Sequence, residues 1–293
     1  MRVALVGYNG YWGQKLGRVL TQLNHEIVAQ IDKRNVDRLP QIDADAAIIA
    51  TPPATHYGIA MTAMKAEMDV LVEKPMTLKS GEAKALAQYA KDHERVLSVD
   101  STFCHTKAFE FLAALDEPVL HYQSLRMAQP MPQAVIPASW DLVVHDLSIL
   151  ANLDALPREG GYGAQDYGVA QCGFVLPSGG SAFIMASRMW PIKERSITIH
   201  FPSGAYLWTL GSLQTFVPGA MSSDFVVRED DEPLKRLIND FELRCFNREI
   251  EGLTDGEHGL ATVAAVERVF SERVLCQNRP SKVGDWMLGR ASV

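Results

Sequence analysis

The sequence predicts a parallel α/β domain followed by an α+β domain built on a mostly antiparallel, open sheet. Three observations lead there. Over the first hundred residues short apolar runs alternate with helical patterns, as in a parallel sheet wrapped by helices. Beyond about Pro118 strand-like runs follow one another directly around Gly-rich turns. The 293-residue length also exceeds the roughly 100–200 residues of one domain, so the chain divides at 1–116 and 117–293.

Each element has its reason. Arg2–Val6 reads as a strand, and Tyr11–Leu23 as a helix with Leu16, Val19, Leu20 and Leu23 on one face. Strands follow at Glu26–Ile31, Ala46–Ala50, Val70–Val72 and Val96–Val99, with helices at Ile59–Met68 and Ser80–Lys91. Their uninterrupted apolar character suits strands covered on both faces. Tyr167–Leu176 and Ser181–Met189 flank the turn Pro177-Ser178-Gly179-Gly180, and Ser196–Phe201 and Ala205–Leu210 flank Pro202-Ser203-Gly204. Helices are expected at Trp140–Leu153, Glu232–Asn247 and Gly256–Val274, the last able to pack back on the first domain.

Composition narrows the function classes. Acidic residues outnumber basic ones, 35 to 28, for a net charge of −7, which disfavours nucleic acid as a partner. No apolar run approaches the roughly 18 residues that span a bilayer. The apolar part of the opening MRVALVGYNG is too short for a signal peptide, so a cytoplasmic chain is expected. Cys104, Cys172, Cys245 and Cys276 form no CxxC pair and read as free thiols.

Gly7, Gly10 and Gly13 stand between the first strand and the first helix. Glycines there allow a tight turn and close backbone approach, and the helix N-terminus offers free N–H groups to a pyrophosphate. The loop Gly7, Tyr8, Asn9, Gly10, Tyr11, Trp12 and Gly13 is therefore the candidate cradle, one residue longer than the common dinucleotide spacing. Asp32 ends the second strand 19 residues after Gly13, where a carboxylate holds ribose hydroxyls and favours NAD. Lys33 and Arg34 follow at once and leave NADP possible.

The segments Asp45-Ala-Ala-Ile-Ile-Ala-Thr-Pro-Pro-Ala-Thr-His56 and Val70-Leu-Val-Glu-Lys-Pro-Met76 carry a family likeness. With Trp140-Asp-Leu-Val-Val-His-Asp-Leu-Ser-Ile149, the chain resembles the Gfo/Idh/MocA oxidoreductases, and Gly10-Tyr11-Trp12-Gly13 looks like the branch acting on nucleotide sugars at C3. The resemblance implies an N-terminal Rossmann domain. It also implies a dinucleotide contacted by Thr51, Pro52, His56, Glu73 and Lys74, a small sugar-like substrate, and a homodimer or homotetramer formed through the open sheet.

Oxidising a secondary alcohol requires a base for the hydroxyl proton and a cation or donor for the developing alkoxide. Lys74 follows a buried strand and should emerge at the carboxyl edge of the sheet, where ligands bind. Asp141 and His145 are four apart on an expected helix and share a face. His145 is assigned as general base, Lys74 as proton partner and alkoxide stabiliser, and Asp141 as orienter; Lys74 and His145 could exchange roles. His145-Asp146 as the start of a metal site lacks further ligands. His105 follows the fifth strand and could reach substrate or the cofactor amide. Trp140 adjoins Asp141, and Arg126, Arg188, Lys193 and Arg195 are candidates for a substrate diphosphate, with Lys193 reading rather as a surface charge.

Two departures from the family pattern matter. Only 12 residues separate Asp32 from Asp45, so Lys33–Asp43 supplies little more than a loop and the first sheet should be clipped at one edge. After the fifth strand Cys104-His105-Thr106-Lys107 replaces the family's usual aromatic and asparagine residues. Two rival functions remain: an NADPH-dependent imine or ketone reductase, and a dinucleotide sensor without turnover.

Overall fold

A computed structural model describes residues 1–32, 34–129, 136–216, 223–228, 230 and 232–270. The first sheet contains β1 (Arg2–Val6), β2 (Glu26–Ile31), β3 (Ala46–Ile49), β4 (Asp69–Glu73) and β5 (Leu97–Asp100), all parallel, in the order β2-β1-β3-β4-β5. It is connected by α1 (Tyr11–Gln22), α2 (His56–Lys65) and α3 (Ser80–Asp92). As the short interval after Asp32 predicts, the sheet stops at β2. A single 3-10 turn, Val36–Gln41, spans the gap, more structure than the expected loop but less than a strand and helix.

The two faces of this sheet are covered differently. One packs with α2 and α3 around Ala47, Ile49, Ala60, Met64, Val70 and Leu86. The other takes Leu16 and Leu20 from α1 and Leu234, Leu237 and Phe241 from α6 (Pro233–Phe246). Burial of side chains such as Leu or Phe contributes about 1.5–3 kcal/mol each, so α6 is a structural wall of the first sheet although it comes late in the chain.

The second sheet has eight strands: β6 (His121–Met127), β7 (Gly161–Gln165), β8 (Val169–Val175), β9 (Ser181–Ser187), β10 (Glu194–Phe201), β11 (Gly204–Thr209), β12 (Ser212–Phe216) and β13 (Ser223–Arg228). Their order is β13-β12-β11-β10-β6-β9-β8-β7, antiparallel except where β6 runs parallel to β9. Both expected hairpins form, β8–β9 and β10–β11. Sequence patterning missed β7, which holds three glycines or alanines among its five residues, and the helix α4 (Lys107–Ala113).

The remaining helices join the halves. The expected helix from Trp140 to Leu153 is instead a π-helical turn, Ser139–Val143, running into α5 (Val144–Asn152). The last helix, α7 (Gly256–Phe270), packs against α3 and α5. Just before it, Thr254 accepts a backbone bond from Val99 at 2.7 Å, stitching the late chain to the edge of β5. Cys276, Lys33 and the expected end of the last helix at 271–274 lie outside the described residues.

Candidate active site

β4 ends at Glu73, and Lys74 leaves the carboxyl edge of the sheet toward the π turn. Its Nζ donates to Asp141 Oδ1 at 2.9 Å and to the Asp141 carbonyl at 2.8 Å. The second carboxylate oxygen of Asp141 lies 3.5 Å from Nη1 of Arg188, whose Nη2 donates to the Ile136 carbonyl at 2.7 Å. Burial alone would raise the Asp141 carboxyl. The charge and hydrogen bond of Lys74, then the charge of Arg188, outweigh it and hold the group below its ordinary range.

His145 stands one turn further on, at the start of α5. It lines the same small cavity as Lys74, with Pro75, Ser101, Ser148 and Thr262. Burial, then the positive charges of Lys74, Arg126 and Arg195, push the imidazole well below its ordinary range. The ring is therefore neutral at pH 7 and able to accept a proton. Phe103 meets it edge-on, with centroids 4.9 Å apart.

Arg126 is placed differently from a diphosphate ligand. It is 6% exposed, and its Nε donates to Asp146 Oδ2 at 2.9 Å. Tyr122 completes that carboxylate from the other side at 2.8 Å. The guanidinium also lies 4.5 Å from the Phe103 ring centroid, and that of Arg195 lies 4.3 Å from it. Arg126 thus holds Asp146 and Phe103 behind His145. Arg188 is 4% exposed and acts through Asp141. Trp140 is half-buried between the cores of the two sheets.

At the other end of the cleft the Gly-rich turn is sterically committed. Gly7 sits at φ +89°, and a Cβ there would meet the Ala50 carbonyl at 2.4 Å. A Cβ on Gly13 would meet the Gly7 carbonyl at 2.2 Å. Gly10 is the N-cap of α1 and gives it no side-chain cap, so the first-turn N–H groups face outward beside exposed Tyr11 and Trp12. Asn9 donates from Nδ2 to Asp32 at 3.4 Å. Arg34 embraces the same carboxylate, Nη2 to Oδ2 at 2.6 Å and Nε at 3.1 Å.

Residues 32–101 match the family model for the Gfo/Idh/MocA group, "Oxidoreductase family, NAD-binding Rossmann fold". Over those residues the chain is similar to the Gfo/Idh/MocA oxidoreductases. A stretch of 131 residues is 32% identical to a UDP-N-acetylglucosamine 3-dehydrogenase of Acidithiobacillus ferrooxidans, covering 42% of this chain and 41% of that relative. A solved structure of the enzyme of that name from the same organism has a TM-score of 0.82 at 24% identity, over 92% of this chain and 96% of the other. GenD2 from gentamicin A biosynthesis, solved in complex with NAD, has a TM-score of 0.75 at 16% identity, over 92% and 93% of the two chains.

Two histidines are not where the sequence reading puts them. His56, expected beside the dinucleotide, has no exposed surface; its Nδ1 is 2.8 Å from the Pro75 carbonyl and its Nε2 2.8 Å from the Thr51 carbonyl. It clamps the ends of β3 and β4 together and has no face left for a ligand. His105, expected at the substrate, is 8% exposed, with Nε2 3.3 Å from Thr254 Oγ1. Burial, His258 and Arg236 push it down to about 4. It packs the 3-10 turn after β5 against the late chain.

Other residues around the cavity carry no signal in the sequence. Ser101 and Ser148 line the cavity, and His258 backs both, its Nε2 3.0 Å from Ser148 Oγ and 3.3 Å from Ser101 Oγ. Phe103 packs edge-on against the His145 ring. No local motif marks any of them; only the helix packing that brings α5, α7 and the end of β5 together does. Among the described residues no group of three His, Cys, Asp or Glu side chains is arranged to hold a metal.

Proposed function

We propose that the chain is an NAD-dependent dehydrogenase of a secondary alcohol on a sugar or nucleotide sugar, residues 1–116 holding the dinucleotide and 117–293 the substrate. The observation that carries this is the shared cavity of a neutral His145 and a Lys74 cation held by Asp141. One accepts a proton; the other steadies negative charge.

The chain's own residues fit a dinucleotide. The uncapped first turn of α1 offers N–H groups to a pyrophosphate, and Gly7 and Gly13 let the turn fold tightly against the Ala50 and Gly7 carbonyls, where a Cβ would clash. Tyr8, Asn9, Tyr11 and Trp12 border it, Thr51 and Pro52 border the end of β3, and Asp32 is placed for the adenosine ribose. Arg34 already engages Asp32 rather than standing open to a 2′-phosphate, which supports NAD over NADP. When bound, the nicotinamide supplies hydride acceptance and nothing else in the mechanism.

His145 takes the hydroxyl proton, its neutrality at pH 7 secured by burial and the surrounding cations. Lys74, fixed by two bonds to Asp141, donates to the oxygen as negative charge develops there. Asp141 orients Lys74 and is itself fixed by Arg188.

The similarity to UDP-N-acetylglucosamine 3-dehydrogenase supports a nucleotide sugar as substrate. Exposed Tyr162, Val175, Phe216 and Phe225 lie on strands of the second sheet and support its pairing with another copy as a dimer or tetramer. No helix among the described residues is long and apolar enough to cross a membrane, which suits a cytoplasmic enzyme. The test is NADH formation from NAD⁺ with a panel of nucleotide sugars. Turnover with one of them, lost in His145→Asn, is expected; dinucleotide binding without turnover on any sugar would leave the sensor reading.

A further inference from the structure

Beside Lys74 lie two acidic side chains to which the mechanism gives no task. Glu73 and Asp100 are register partners at the carboxyl ends of β4 and β5, 7% and 2% exposed. Glu73 Oε1 and Asp100 Oδ2 are buried without an N–H or O–H donor among the described residues, on side chains that the strand register sets side by side. Two ionised carboxylates set side by side in a buried place repel, and each is only an acceptor. One proton on one of them supplies the missing donor.

The surroundings say which. Thr102 Oγ1 donates to Asp100 Oδ1 at 2.5 Å and so favours the ionised form of Asp100. Burial, then the charge of Asp100, raises Glu73 well above the ordinary carboxyl range. Burial raises Asp100 too, against the bond from Thr102 and the charges of Lys15 on α1 and Lys74. Those two lysines are the cations acting on the pair. Glu73 is the acid and Asp100 the anion.

We propose that Glu73 and Asp100 hold one proton between them at neutral pH and release it to solvent when a cationic ring enters the cleft, matching the pair's charge to the oxidation state of a bound nicotinamide. With its proton the pair carries one negative charge, without it two. An added positive charge at this sheet edge favours the doubly ionised form, and a neutral reduced ring does not. The proton goes to the bulk buffer, and no bond to the dinucleotide is made. Both are positioning residues: they touch neither substrate nor reacting atoms. The coupling rests on the dinucleotide reading above, whereas the shared proton rests on this chain alone.

Two measurements test the two parts. Infrared spectra of the ligand-free protein at neutral pH should show a carboxylic-acid carbonyl band that shifts in D₂O and is lost in both Glu73→Gln and Asp100→Asn, whose amides supply the donor without a proton. No such band in the wild type, or an undiminished band in both variants, overturns the shared proton. Calorimetric titration in buffers of different ionisation enthalpy should then show more proton released on binding NAD⁺ than NADH, a difference that Glu73→Gln removes. Equal release with both dinucleotides overturns the coupling while leaving the dehydrogenase reading intact. Failure of both dinucleotides to bind overturns that reading and the coupling with it, and the infrared bands still decide the shared proton.

Discussion

Lys74 and Asp141 are 67 residues apart in the chain, yet the lysine ammonium bonds both the carboxylate and the backbone carbonyl of the aspartate. The double contact depends on a π turn. Were Ser139–Val143 an ordinary first turn of α5, Asp141 would sit one helical position away from the edge of β4. π turns inside helices recur at functional sites because they re-aim a side chain without ending the helix.

Removing either partner should therefore do two kinds of damage. Lys74→Ala leaves the Asp141 carboxylate with Arg188 alone and removes the cation from the reacting oxygen. Loss of turnover of about 10²–10³-fold is expected, in line with removal of one oxyanion donor. Dinucleotide affinity, measured by fluorescence titration, should change far less.

Protonation of buried histidines sets the acid limit of stability. His105 and His258, both pushed down to about 4 by burial, are neutral in the folded chain and ordinary when it unfolds. A depressed histidine means that the unfolded state binds more protons below its own value, so stability is lost as pH falls from about 6.5 toward 4. At pH 5 each should cost about 2 kcal/mol. Melting temperatures at pH 7 and pH 5 check this, and His258→Gln should reduce the drop.

Glu73 works in the opposite direction. Its raised carboxyl binds a proton in the folded chain that the unfolded chain has already released above about 4.5. Stability from this group is therefore present at low pH and declines as pH rises toward the folded value. Glu73→Gln should flatten the alkaline side of the melting-temperature profile and leave the acid side unchanged.

The cradle admits little change. Gly13→Ala places a methyl group 2.2 Å from the Gly7 carbonyl, which neither strand nor helix can yield easily. A loss of about 1–3 kcal/mol in stability is expected from overpacking, together with at least a tenfold loss of dinucleotide affinity. Asp32→Ser, by contrast, should keep the fold. It should lower NAD affinity about tenfold or more, the worth of a charged hydrogen bond, and free Arg34 for the 2′-phosphate of NADP.

Much of this was legible in the sequence. β1 and β2 fall where their apolar runs place them, and the clipped sheet follows from the short interval between Asp32 and Asp45. Lys74 and Asp141 do meet, and His145 lines one cavity with Lys74. What could not be read is what packing decides. His56 and His105 stand in segments that suggest ligands, yet both rings are buried against backbone and hydroxyl partners. β7 carries too few side chains to announce itself. Asp100 ends an ordinary apolar strand, and nothing local reveals that β4 brings Glu73 alongside it.

The central claim is that a neutral His145 takes the alcohol proton while Lys74 holds the oxygen. Single-turnover reduction of NAD⁺ with the best nucleotide-sugar substrate, comparing wild type with His145→Asn, tests it most directly. The account predicts unchanged NAD⁺ affinity and a rate of NADH formation lower by about 10²–10⁴-fold, the usual contribution of a positioned base. A variant that reduces NAD⁺ at the wild-type rate would contradict it.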